Sequence, residues 1–357
     1  MLSQHKITDR TTGNTILAIG NEGRDTAHHY TTAMSWLTDS RHLIVLTDLD
    51  RETKAGKIVR HDTLTGQSQI LMDNGVWPRG VVGGDDQLYL FEGQELYSLH
   101  AWSGERRTIC RLDDNCILHG PLSITNDSQT LGVYWLEGDQ EWVIATVDAR
   151  SGQVAEAARP GFVEPFPVAN HAMINPVDSS CIFYSHEGAT EHIADRLWVA
   201  STATGSKYNV FAQKRDENGK HVEYVGHEMW ASDGSGLYFV KYAHSPHKPA
   251  GVYYADRNGK SQTFINGDYL YWHVSVSPDG RYAAADTQEA GKSKIVLIDL
   301  ATRQSKLLCE LPCRGIHPGH PHPSFSPDSQ KLVFTYADEQ DTLWVGVTDI
   351  GEGGYTV

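Results

Sequence analysis

The chain has 357 residues, 39% hydrophobic and 10% aromatic, which is enough for two ordinary domains or one large repeat architecture with a substantial core. Its 45 acidic and 30 basic residues give a formal charge of −15, which argues against nucleic acid and anionic membrane surfaces as partners, since both demand a basic face. The sequence has no run of 18 apolar residues, no apolar stretch near the N-terminus and five cysteines without a CxxC pair, so a cytoplasmic protein with reduced thiols is expected. A small anionic ligand stays compatible with this charge where a metal or an arginine supplies a local positive field.

Taken in order, the chain opens with "ITDRTTGNTILAIG" (7–20), two short strands around a turn. One pattern then returns, an Asp turn followed by a short apolar strand: "TDSRHLIVL", "GDDQLYLF", "NDSQTLGVYW", "VDSSCIFYS", "SDGSGLYFV", "PDGRYAAAD" and "PDSQKLVFT". The marker residues are Asp39, Asp85, Asp127, Asp178, Asp233, Asp279 and Asp328. Most are followed by a second strand-and-turn unit, such as "KIVRHDTLTGQ" or "KIVLIDLATRQ". Runs of four to eight residues rich in Val, Ile, Tyr and Leu, bounded by Asp, Gly, Ser and Pro, are strand-and-hairpin chemistry. Four short strands in a repeat of roughly 40–50 residues describe a propeller blade. Seven markers therefore predict an all-β, seven-bladed β-propeller in a single domain, 1–357. "LWVGVTDI" at the C-terminus lacks a full set of partners, so the N- and C-terminal strands are expected to share one blade and close the ring.

The repeat also serves as a ruler for the histidines. Six residues before Asp328, Asp279 and Asp233 stand His322, His273 and His227, and six before Asp85 stands Arg79. His171 and His119 fall seven and eight residues before their markers. This position opens the strand nearest the propeller axis, so its side chains are expected to face the central channel. The segment "HPGHPHPSFSPD" (317–328) adds His317 and His320 to His322. Its prolines forbid a helix and stiffen the backbone. Such a tract is either a surface turn or a metal site, and three in-phase histidines in successive blades favour neutral imidazoles gathered as metal ligands. His244 and His247 in "YAHSPHK" fall beyond a strand end and read as loop residues.

These stretches resemble the oligogalacturonate lyases, cytoplasmic seven-bladed propellers of pectin breakdown, over roughly residues 28–340. "HPHPSFSPD" (320–328) is similar to the family's metal loop, "HEMW" (227–230) to its catalytic-histidine strand, and "SHEG" with "ADRLW" (185–188, 194–198) to its active-site blade. The "SPDG" turn alone resembles the TolB-type propeller repeat, which many functions share. The lyase resemblance implies β-elimination on a small anionic oligosaccharide with one divalent metal, usually manganese. His273, His320 and His322 match three ligands, His227 the base, and Arg196 an assisting arginine. His317 stands where the family has a glutamine ligand, and four imidazoles suit zinc, iron or nickel better than manganese. His29 in "HHY" (28–30) replaces a family arginine, removing one carboxylate clamp.

His28, Arg79, His171, His186, Glu187 and Tyr242 are expected to line the channel and contact substrate. Elimination removes the weakly acidic proton beside a uronate carboxylate, which calls for a Lewis acid on that carboxylate and a base with a near-neutral pKa. No paired carboxylates fall in phase with the repeat, against a two-acid glycosidase, and no GxSxG elbow marks a propeller peptidase. The alternatives are a non-catalytic propeller binding a sugar or protein partner around a structural metal, and a metal-assisted hydrolase on the same scaffold. A propeller by itself favours none of them.

Overall fold

The computed structural model describes residues 2–138 and 141–351, and within them every regular element is a strand. The marker aspartates explain the repeat. Each accepts a hydrogen bond from the backbone N–H two residues on, at 2.9–3.2 Å in all seven turns. In six of them the intervening residue has a positive φ, between 54° and 71°, at Ser40, Asp86, Ser128, Gly234, Gly280 and Ser329. A short acceptor that closes its own turn, followed by a residue able to enter the left-handed region, reverses the chain tightly enough to pair adjacent strands.

The described strands form seven antiparallel sheets, as the seven markers predict, and the fold is a seven-bladed β-propeller. Five sheets have four strands. The sheet of His42–Thr47, Ala55–Asp62 and Ser68–Val76 has three, and the single bridges Ala27↔Leu46 and Trp36↔Leu43 stand in for its first strand. The remaining sheet has five strands, with Ser3–Thr8 and Thr15–Gly20 added to Leu343–Asp349, Lys331–Ala337 and Ser324–Phe325. Leu17 opposite Val347 and Ile19 opposite Val345 join the two ends of the chain in one blade, the predicted closure. No helix is long and apolar enough to cross a membrane, and the five cysteines are free thiols.

The chain divides into two compact units, residues 1–78 with 265–357 and residues 79–264. In the first, Ala284, Ile295 and Leu297 pack on Phe325, Leu332 and Phe334 and on Ile16 and Ala18. In the second, Phe183 and Val199 pack on Trp230, Leu237 and Phe239. Each such ring fully withdrawn from water contributes about 1.5–3 kcal/mol. Neighbouring Asp turns are also stitched together, with the Asp279 N–H donating to Ser329 Oγ (3.2 Å) and the Asp328 N–H to Ser40 Oγ (3.0 Å).

The opening strand of several blades carries a bulge at the in-phase histidine. Register slips between Asn170 and Met173, between Gly226 and Met229, and between Tyr271 and Val274, so His171, His227 and His273 lie within the shifts. His171, His227 and His322 have φ of 53°, 55° and 50°. A bulge with left-handed backbone turns a side chain out of the pleat, and such conformations concentrate at functional sites.

Three buried histidines make the fold acid-sensitive. Burial lowers the pKa of His28 to about 4, of His29 to about 3 and of His61 to about 4. Because these folded-state values lie below the unfolded value of about 6.5, the unfolded chain binds more protons over that interval. Their stability contribution is therefore complete above pH ~6.5 and is lost as pH falls toward about 4. Buried Asp286, pushed up to about 7, acts in the opposite sense as a single group. The melting temperature should fall steadily between pH 6.5 and 4, and one that stays level across this window would contradict the reading.

Candidate active site

Residues 313–323, between strands Ser305–Pro312 and Ser324–Phe325, hold three of the histidines. The loop is pinned by its carbonyls. Pro321 O accepts from Thr335 N–H (2.9 Å) and His28 Nε2–H (3.1 Å), and Pro323 O accepts from Thr31 Oγ1 (3.1 Å). Gly319 is required because a Cβ there would lie 2.4 Å from Arg314 Cβ. Arg314 itself grips Asp25 with two nitrogens at 2.7 and 3.1 Å. Proline, which cannot donate, leaves the carbonyls as the anchoring groups.

His273 reaches the same place from the bulge in strand Tyr271–Val276. His273, His320 and His322 are 0%, 6% and 1% exposed, and one ligand atom from each lies within 4.8 Å of the others. His322 Nε2 and both ring nitrogens of His320 are buried with no partner at hydrogen-bonding distance. Burial lowers the pKa of His320, and burial with the neighbouring His273, His317, His320 and His28 holds that of His322 well below its usual value. The His320 and His322 imidazoles therefore stay neutral, with lone pairs available. Three buried imidazoles converging on one point fit a divalent metal. Trp272 lies 4.0 Å from His320 and Tyr30 4.6 Å from His322, ring to ring. These walls restrict water.

His273, His320 and His322 are the buried members of the expected set of four, and the fourth, His317, has its ring centroid 5.0 Å from that of His322. His317 is exposed at the edge of the turn, its ring centroid 4.2 Å from that of His320 and 5.2 Å from that of Trp77. His28 is 1% exposed and spends Nε2–H on the Pro321 carbonyl, so it supports the loop from beneath. Asp286 is a residue that sequence reasoning passes over. Its two oxygens lie 2.9 and 3.0 Å from His273 Nδ1, and they also accept the backbone N–H groups of His273 (2.7 Å) and His322 (3.1 Å).

The second unit holds the other expected residues. His227 is half-buried, with Nδ1 3.0 Å from the Tyr242 hydroxyl. Gly226 permits this contact, since a Cβ there would lie 2.1 Å from that hydroxyl oxygen. Burial raises the Tyr242 pKa, so the phenol keeps its proton. Arg196 is 4% exposed and bound by two carboxylates: Nε to Glu228 at 2.7 Å, and NH1 and NH2 to Glu187 at 3.1 and 2.9 Å. A substrate carboxylate would have to displace Glu187 to reach this guanidinium. Glu228, the neighbour of His227 in "HEMW", is another residue the sequence reading does not single out.

His171 lies on its bulge with its pKa lowered by burial, countered by the charges of Glu187 and Glu228. His186 stacks on Phe162 at 3.7 Å and donates Nε2–H to the Phe166 carbonyl at 2.8 Å. Arg79 rests over the Phe91 ring at 5.1 Å and depresses the His119 pKa as a secondary effect after burial.

No family model and no curated protein matches the sequence. Solved structures do. An oligogalacturonate lyase in complex with manganese superposes with a TM-score of 0.84 at 18% identity, over 98% of this chain and 97% of that one. An oligogalacturonate lyase from Vibrio parahaemolyticus gives 0.83 at 16% identity, over 99% and 98%. A putative TolB from Agrobacterium tumefaciens gives 0.52 at 14% identity, over 80% and 95%. Over nearly its whole length the chain has the propeller fold of the oligogalacturonate lyases.

Proposed function

We propose that this protein is a metal-dependent lyase that cleaves short uronate oligosaccharides, oligogalacturonides, by β-elimination. The observation that supports this most is the trio of buried, converging imidazoles, His273, His320 and His322, on a propeller of this fold. A divalent cation held by them would supply a Lewis acid for the carboxylate that gains charge as the neighbouring C–H bond breaks.

The chain's own groups carry the proton chemistry. His227 takes the proton from the carbon beside the carboxylate, the C–H electron pair becomes the new C=C bond, and the adjacent C–O bond breaks. The departing oxygen leaves as an alkoxide and takes a proton from solvent, to which the protonated His227 returns the proton it abstracted. In the tautomer that donates Nδ1–H to the Tyr242 oxygen, the lone pair for proton abstraction sits on Nε2. Arg196 is held by Glu187 and by Glu228, and Glu228 shares the bulge with His227.

Incubating metal-loaded protein with oligogalacturonides should produce the ultraviolet absorbance of an unsaturated uronate, and chelation should abolish it. New reducing ends without that absorbance would mean hydrolysis, and no product at all would favour a binding role. The neighbour of known composition holds manganese. An all-imidazole donor set favours nickel or zinc over manganese. Protein equilibrated with equimolar manganese, zinc and nickel should therefore retain mainly zinc or nickel on elemental analysis. Retention of manganese alone would show that oxygen donors dominate the site.

A further inference from the structure

The buried carboxylate of Asp286 has no stated role in either half of the proposed chemistry, and its surroundings are unusual. It is 0% exposed, on strand Tyr282–Thr287 in the sequence "AAAD", with Ala283, Ala284 and Ala285 buried before it. Its hydrogen-bond partners are the His273 ring and the backbone N–H groups of His273 and His322, and among the described residues no lysine or arginine forms an ion pair with it. A carboxylate so placed has lost its hydration and gained three N–H groups, which satisfy its oxygens without neutralising its charge.

Its partners come from two elements that are far apart in sequence. His273 lies on the bulge of one blade, and His322 lies in the loop entering the next, at φ 50°. Oδ1 takes the His273 backbone N–H and Oδ2 the His322 backbone N–H, while both oxygens face His273 Nδ1. One side chain therefore fixes the ring orientation of the strand histidine and the backbone position of the loop histidine together. The Nδ1 contact leaves Nε2 of His273 as the atom turned toward His320 and His322.

We propose that Asp286 is the positioning residue of the metal centre: it sets the His273 tautomer, ties the loop histidine His322 to the strand histidine His273, and finds its counter-charge in the bound divalent cation. This rests on the metal centre proposed above and not on the lyase reaction. Removing a carboxylate that orients a metal-bound histidine typically costs 10–100-fold in metal affinity.

The test is Asp286→Asn, compared with the parent protein after both are stripped with a chelator and titrated with cobalt or zinc against a chromophoric competitor. The variant should bind the ion roughly 10–100-fold more weakly. Its metal-free form should melt no lower than the parent, because the amide removes a buried charge. The visible spectrum of its cobalt form should also shift, since the ligand field changes with the His273 orientation. A variant with lower metal-free melting temperature and unchanged metal affinity would make Asp286 a purely structural group and overturn the proposal.

Should the variant fail to fold, nitrogen-15 NMR of the His273 ring in the parent protein decides. The proposal requires the proton on Nδ1 and metal coordination at Nε2, and the reverse assignment overturns it. A parent protein that binds no divalent ion defeats the metal centre together with this proposal. Equal affinity in parent and variant defeats the proposal alone.

Discussion

His320→Ala should empty the metal centre: metal content should fall from about one ion per chain, one per site, to a small fraction of that, and lyase activity should fall with it. The expectation follows from where the ring sits. His320 is 6% exposed, its two nitrogens have no hydrogen-bond partner, and it forms one corner of a triangle with His273 and His322. A buried imidazole without a partner costs stability in the metal-free protein, and the cost is recovered only when a ligand arrives. Alanine removes one of three donors and leaves a pair, which does not hold a labile divalent ion through dialysis. The metal-free variant should fold, because the ring makes no hydrogen bond and its contacts are with the rings of Trp272, His317 and the other two triad histidines. Elemental analysis of freshly purified protein is the measurement. An unchanged metal content would remove His320 from the ligand set, and with it the reading of the 313–323 loop.

Replacing His227 should do the opposite, sparing the metal while stopping the chemistry. His227 lies outside the convergent triad, and its Nδ1 contact with Tyr242 leaves one ring nitrogen for proton transfer. Losing a general base typically costs 10²–10⁴-fold in rate. Asparagine is the cleaner substitution, because φ at this position is 55° and asparagine enters the left-handed region more readily than alanine. His227→Asn should therefore keep one ion per chain and the parental melting temperature, while the rate of unsaturated-uronate formation drops by roughly 10²-fold or more. Loss of metal would make His227 a ligand. Full activity with metal retained would assign the base to another residue.

The fold is legible in the sequence because its repeating unit is a local device. An aspartate that closes its own turn writes the same short signature inside every blade, and no tertiary knowledge is needed to count seven of them. The phase of His227, His273 and His322 is legible for the same reason, since bulges at a fixed distance from those turns carry two of them. Contacts between distant segments are not legible. His28 has the chemistry of a substrate contact, yet only the fold brings it under the Pro321 carbonyl. Asp286 reads as the end of a strand, and its two histidine partners are separated by almost fifty residues. Arg196 looks available in "ADRLW" until Glu187 and Glu228 arrive from other strands to occupy it. His317 belongs to the same short tract as His320 and His322, but the turn before Pro318 leaves it on the rim.

The left-handed backbone at His171, His227 and His322 restricts the alphabet available to sequence change at these three places. Valine, isoleucine and threonine, which strands otherwise favour, strain badly at φ near +50°, whereas glycine, asparagine, aspartate and histidine fit. A saturation library at position 171 should therefore yield folded protein chiefly from this small polar group. These three blades thereby each keep a socket that admits proton-carrying or metal-binding side chains and rejects branched ones. New specificities on such a scaffold would come from exchanging residues among these sockets while the strands and turns stay as they are.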